Sequence, residues 1–79
     1  MKYIIVIDNG LEKAIIFDEL LTHLTVARGF NVISAGFCSI GASNDKEMKV
    51  QVYGESVTLD MRSRKEDATL IEEALGKEI

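Results

Sequence analysis

The sequence predicts an α+β domain, a mostly antiparallel sheet with two helices in the order β-β-α-β-β-β-α. Three observations predict it. Asn9-Gly10 separates two apolar runs. Period-two alternation passes through Met48, Val50 and Val52 and again through Val57, Leu59 and Met61. A helical apolar stripe closes the chain between Ser63 and Gly76.

The elements follow in order. Tyr3, Ile5 and Ile7 alternate with Ile4 and Val6, so the first strand is apolar on both faces and belongs inside the sheet. Asn-Gly accepts the positive φ that a type I′ turn needs at both central positions, which makes Leu11 to Phe17 the return strand of a hairpin. The alternative is a β-α unit, helical from Glu12 onward. Asp18 is placed to cap a helix running to Ala27, with Gly29 as its stop. Leu20, Leu21, Leu24 and Ala27 share one face of that helix. Thr22, His23 and Thr25 are weak helix formers, which leaves open a split into two short turns.

Asn31 to Ile40 reads as a third strand, small at Ser34, Ala35 and Gly36. An interior glycine there implies a bulge or the close approach of another backbone or a ligand. Gly41 to Asp45 is a polar turn. The two alternating strands beyond it join at Gly54-Glu55 and leave Lys49, Gln51, Tyr53, Thr58, Asp60 and Arg62 on a wet face. Ser63 and Glu66 have the spacing of a capping box. The helix then runs to Leu75, with Gly76 placed to end it. Ala68, Ile71 and Leu75, flanked by Leu70 and Ala74, form its apolar stripe, and Glu72 and Glu73 face water. Both helices are expected on one face of the sheet.

At 79 residues the chain has room for one core, so residues 1–79 are expected to form a single compact domain. Such a chain buries only about 60% of its unfolded surface. Small domains gain stability from disulfides, metals or partner subunits. Cys38 is the only cysteine, which excludes a disulfide within the chain and suits a reducing compartment. His23 and Cys38 fall short of the four ligands of a structural zinc site, so neither metal nor cofactor is expected. Self-association, as a homodimer in the simplest case, is the remaining source. The apolar run from Tyr3 to Ile7 is far shorter than the roughly 20 residues that span a bilayer, and it lacks the marks of a secretory signal. The expected location is cytoplasmic, away from membranes. A net charge of −4 argues against nucleic acid as a partner. Arg62, Arg64 and Lys65 do cluster, but Glu66 and Asp67 follow at once, which reads as a solvated helix start of mixed sign.

Three residues, His23, Cys38 and Ser56, are candidates for chemistry on their own account, and a resemblance given below adds Thr58 as a fourth. Histidine is the residue type suited to proton transfer near neutral pH, so His23 can serve as a general base, with Glu19 one helical turn away; its plainer reading is an ordinary helix-edge histidine. Cys38 becomes a nucleophile only if a neighbour lowers its pKa. Inside an apolar strand, a thiol more commonly acts as a small buried hydrophobe. A Cys38–His23 pair requires the fold to bring the two together. Ser56, like Ser34, can bind an anion through backbone and hydroxyl donors, although Gly54-Glu55-Ser56 is a turn first. Asp8, Glu12, Asp18, Glu55 and Asp60 are scattered over strand ends and turns, without the pairing that acid/base catalysis needs.

Two resemblances add to this. Ser34-Ala35-Gly36-Phe37, Tyr53-Gly54-Glu55-Ser56 and Ser63-Arg64-Lys65-Glu66-Asp67-Ala68, with Leu24-Thr25-Val26-Ala27 after His23, resemble a group of very small uncharacterised bacterial and prophage-type proteins. That likeness covers most of the chain and implies a bacterial or phage setting, with no activity to carry over. Lys49-Val50-Gln51-Val52-Tyr53-Gly54-Glu55-Ser56, followed by a turn and a helix, is more distantly similar to the anion-binding strand of the Janus-type phosphohistidine phosphatases. On that match Ser56 and Thr58 stand at the phosphate-contacting strand end. The family's catalytic histidine has no counterpart, because its position falls near Leu11-Glu12, and the family's final strand is missing. The similarity is one of topology. The expected function is therefore a non-catalytic protein-interaction or oligomerising domain, partnered by a second copy or another protein. A small phosphoryl-handling enzyme or anion-binding domain is the alternative.

Overall fold

The computed structural model describes residues 1–42 and 48–76. Lys2–Asp8 (β1) and Leu11–Phe17 (β2) form the expected hairpin, with Asp8 opposite Leu11 and Lys2 opposite Phe17. Asn9 and Gly10 turn it at φ of 53° and 78°, the left-handed region that a type I′ turn requires. The helical alternative for residues 11–17 is excluded. His23–Ala27 is a short helix (α1), and Asn31–Ala42 (β3) and Met48–Tyr53 (β4) complete an antiparallel sheet in the order β2-β1-β3-β4. Glu55–Ser56 (β5) and Met61–Arg62 (β6) pair as a separate two-stranded ribbon, and Asp67–Gly76 (α2) closes the fold.

The two helices lie on opposite faces of the sheet, not on one. The cause is the all-apolar β1, whose successive side chains point to opposite faces. Tyr3 and Ile5 pack with Cys38, Val50 and Ile71 of α2. Ile4 and Val6 pack with Phe17, Ala35 and Ala27 of α1, and Met61 of the ribbon and Leu59, which precedes it, complete that layer. Each buried Ile or Val contributes roughly 1.5–3 kcal/mol. A central strand carrying such residues on both sides therefore demands cover on both.

The expected helix from Asp18 does not form. Asp18 spends its carboxylate on its own turn, accepting from Leu20 N at 2.8 Å, and Leu21 N donates to its carbonyl. Thr22 caps α1 instead, its Oγ1 accepting from Thr25 N. Leu20, Leu21 and Leu24, expected on a packed face, are thus left exposed. The predicted strand through Val57, Leu59 and Met61 is likewise broken. Ser56 Oγ accepts from Leu59 N, Asp60 N donates to Val57 O, and Asp60 sits at φ 53°, so residues 57–60 turn between β5 and β6. Leu59 and Met61 still pack inward, but Val57 is 84% exposed. The polar positions expected to be wet, Lys49 and Gln51 among them, are exposed. Of the predicted Gly41 to Asp45 turn, Gly41 and Ala42 belong to β3, and Ser43 to Asp45 lie outside the described residues.

Of the two conditions read from Gly36, the close approach is met at the glycine itself and the bulge lies three residues before it. The register of β3 against β1 slips between Ile5↔Ser34 and Val6↔Val32, a bulge at Ile33. A Cβ on Gly36 would stand 2.9 Å from the Tyr53 carbonyl and 3.0 Å from Ser63 Cβ. The chain passes closely there because Ser63 donates to Gly54 O through both its amide and its hydroxyl. That use of Ser63 also displaces the expected capping box. The cap at α2 is one residue later, where Asp67 Oδ2 accepts from Arg64 N at 2.9 Å.

Candidate functional site

The fold brings three of the four candidate residues together. His23, Ser56 and Thr58 line one cleft of about 210 Å³, with Lys2, Thr22, Phe37, Glu55 and Val57. Cys38 is elsewhere, buried in the layer beneath α2, so no Cys38–His23 pair exists. Burial pushes the Cys38 thiol above its ordinary pKa and suppresses the thiolate. Its side chain acts as a small hydrophobe.

His23 begins α1 and is 5% exposed. Its Nε2 donates to the Gly36 carbonyl at 2.8 Å. Phe17 and Phe37 meet the ring edge-on, at centroid distances of 5.4 and 5.5 Å. This is a side chain wedged between aromatics and tied to a strand that bulges nearby. Glu19, considered as its partner, bonds instead to the Met1 amine. The Ser56 hydroxyl is buried and engaged in the 56–59 turn, within 3.3 Å of both Thr58 Oγ1 and Leu59 N. A wider concavity of about 620 Å³, between β4 and the start of α2, holds none of the four candidates.

The strongest polar constellation was not anticipated. Asp67 is fully buried, where a solvated helix start was expected. Its Oδ2 accepts from Tyr3 Oη at 2.6 Å and Arg64 N, and its Oδ1 accepts from Ser34 Oγ at 3.0 Å and from Arg64 Nε and Nη2. Arg64 Nη2 reaches on to Glu12 of β2 at 2.7 Å. The network thus joins β2, β1, β3 and α2 through one carboxylate. Among the described residues no buried side-chain nitrogen or oxygen lacks a partner. Tyr3 and Ser34, polar residues in otherwise apolar strands, were the available signal, since a buried hydroxyl needs a partner.

Burial first, and then the bond and charge of Asp67, push the Tyr3 phenol far above its ordinary value of 10.0. The folded state therefore holds this proton where the unfolded state releases it. Stability is complete below pH about 10 and falls as pH rises beyond it. Urea midpoints across an alkaline series, set against Tyr3→Phe, are expected to show this decline in the wild type and a shallower one in the variant.

The remaining feature is apolar. Leu20, Leu21, Leu24 and Phe30 are large exposed hydrophobics within one connection, that between β2 and β3, with Leu20 at 91%. Exposed Glu19 and Arg28 share the connection. Among the described residues no group of three or more His, Cys, Asp or Glu is placed to hold a metal ion, and no helix is long and apolar enough to cross a membrane. Comparison with protein-family models, curated proteins and solved structures finds no match.

Proposed function

We propose that this chain is a non-catalytic protein-interaction domain that binds through the β2–β3 connection, residues 18–30. The observation that carries the reading is Leu20, held out in water by a turn that Asp18 closes on both its backbone and its side chain. A leucine so presented costs hydration free energy in the free protein and recovers it against a partner. Leu21 and Leu24 stand beside it in sequence, and Thr22 anchors α1 between them. The residues suited to chemistry support the same reading: His23, Ser56 and Asp67 are occupied by the fold, and Cys38 is buried. The domain works in the cytoplasm, in a bacterial or phage setting, with its single thiol reduced.

A photo-crosslinking residue at position 20 or 24 is expected to give discrete protein adducts in cells. The same residue at position 72, on the solvated face of α2, is expected to give none. Equal labelling at all three positions, or none at 20 and 24, contradicts the reading.

A second reading rests on the convergence of His23, Ser56 and Thr58 with Lys2 on one cleft. It makes the domain a binder of small anions, in keeping with the likeness of residues 49–56 to the Janus-type phosphatase strand. A phosphate-dependent rise in melting temperature that Thr58→Val abolishes would favour it.

A further inference from the structure

We propose that β2 pairs antiparallel with β2 of a second copy of this chain, joining two four-stranded sheets into one. The proposal concerns a surface separate from the 18–30 connection and stands or falls without it. Four observations carry it.

β2 is an edge strand of seven residues, and its pairing with β1 runs without a register slip. Natural edges are usually guarded by free charges, bulges or prolines. Here both charged side chains of the strand are turned back onto their own fold, Lys13 to Asp8 at 3.0 Å and Glu12 to Arg64 at 2.7 Å. The opposite edge is different: Lys49 and Gln51 of β4 are exposed, and Lys49 makes no ion pair among the described residues.

Ala14, Ile15 and Ile16 are only half-buried, and they alternate between the two faces of the sheet. A lone peptide strand would extend the sheet without covering either face. A second copy extends both packed layers at once, which selects it as the occupant. A groove of about 250 Å³ runs between β2 and α2, and Ala14, Leu70 and Ala74 in its lining leave apolar surface beside the edge for the second copy to cover.

With Ala14 on that axis, Leu11 of one copy faces Phe17 of the other and Lys13 faces Ile15. The Lys13 stem then covers apolar surface while its ammonium stays in water, and Leu11, 63% exposed in the single chain, gains an apolar neighbour.

Sedimentation equilibrium tests the proposal. The wild type is expected at twice 8.8 kDa in the micromolar range. Ala14→Glu sets like charges opposite each other on the axis and is expected to weaken association ~tenfold or more. A mass of 8.8 kDa for the wild type at every concentration overturns the proposal, as does a dimer indifferent to Ala14→Glu. If that variant does not fold, amide exchange of the wild type decides. Outward-pointing β2 amides slow with rising concentration if the pairing exists; slowing confined to β4 rejects it. Leu20→Ser leaves the mass unchanged, which separates this proposal from the binding reading.

Discussion

Asp67→Ala is expected to take the domain to the edge of unfolding. The substitution removes the shared acceptor of Tyr3, Ser34 and Arg64; Arg64 keeps Glu12, but the Tyr3 and Ser34 hydroxyls are left buried without a partner. Each buried donor so orphaned costs about 1–3 kcal/mol, and the cavity left by the side chain adds to that. A chain of this length has roughly 4–12 kcal/mol in total, at about 0.05–0.15 kcal/mol per residue. Asp67→Asn keeps the shape and one acceptor but loses the charge, so an intermediate loss is expected. Urea denaturation followed by circular dichroism measures both. A loss below about 1 kcal/mol for the alanine variant would show that water replaces the carboxylate at little cost and that the network does not hold the fold.

His23→Ala is expected to cost about 2–4 kcal/mol, from the cavity left between Phe17 and Phe37 and from the orphaned Gly36 carbonyl. His23→Phe fills the cavity without supplying the donor. It is expected to recover the packing and still cost about 1–3 kcal/mol. The same denaturation series decides. A histidine that both variants remove without loss of stability is not one the fold depends on.

What was legible in the sequence was local. The Asn9-Gly10 turn, the interior place of β1 and the close approach at Gly36 all follow from what a few adjacent residues permit sterically. Competition between neighbouring signals was not legible. Asp18 and Thr22 are both good caps, and Ser63 and Arg64 both precede a suitably spaced carboxylate. Which one wins depends on what the rest of the fold does with the loser: Asp18 closes a turn and Ser63 fastens to Gly54. The Asp67 network was hidden for a different reason. Its partners Tyr3 and Ser34 are brought to it only by the completed sheet, and no spacing along the chain encodes that meeting. The candidate site was half legible: His23, Ser56 and Thr58 do meet, while Cys38 faces the opposite layer.

These placements divide the side chains into two sets. The buried polar residues belong to the fold, and the proposal assigns the exposed leucines of residues 20–24 to a partner. The free energy of unfolding of Leu20→Ser/Leu24→Ser tests that division most directly. The account predicts a value within about 0.5 kcal/mol of the wild type, because surface positions with no packing role fall in that range. A loss of about 2 kcal/mol or more would contradict it, since it would show that these leucines pack against their own chain.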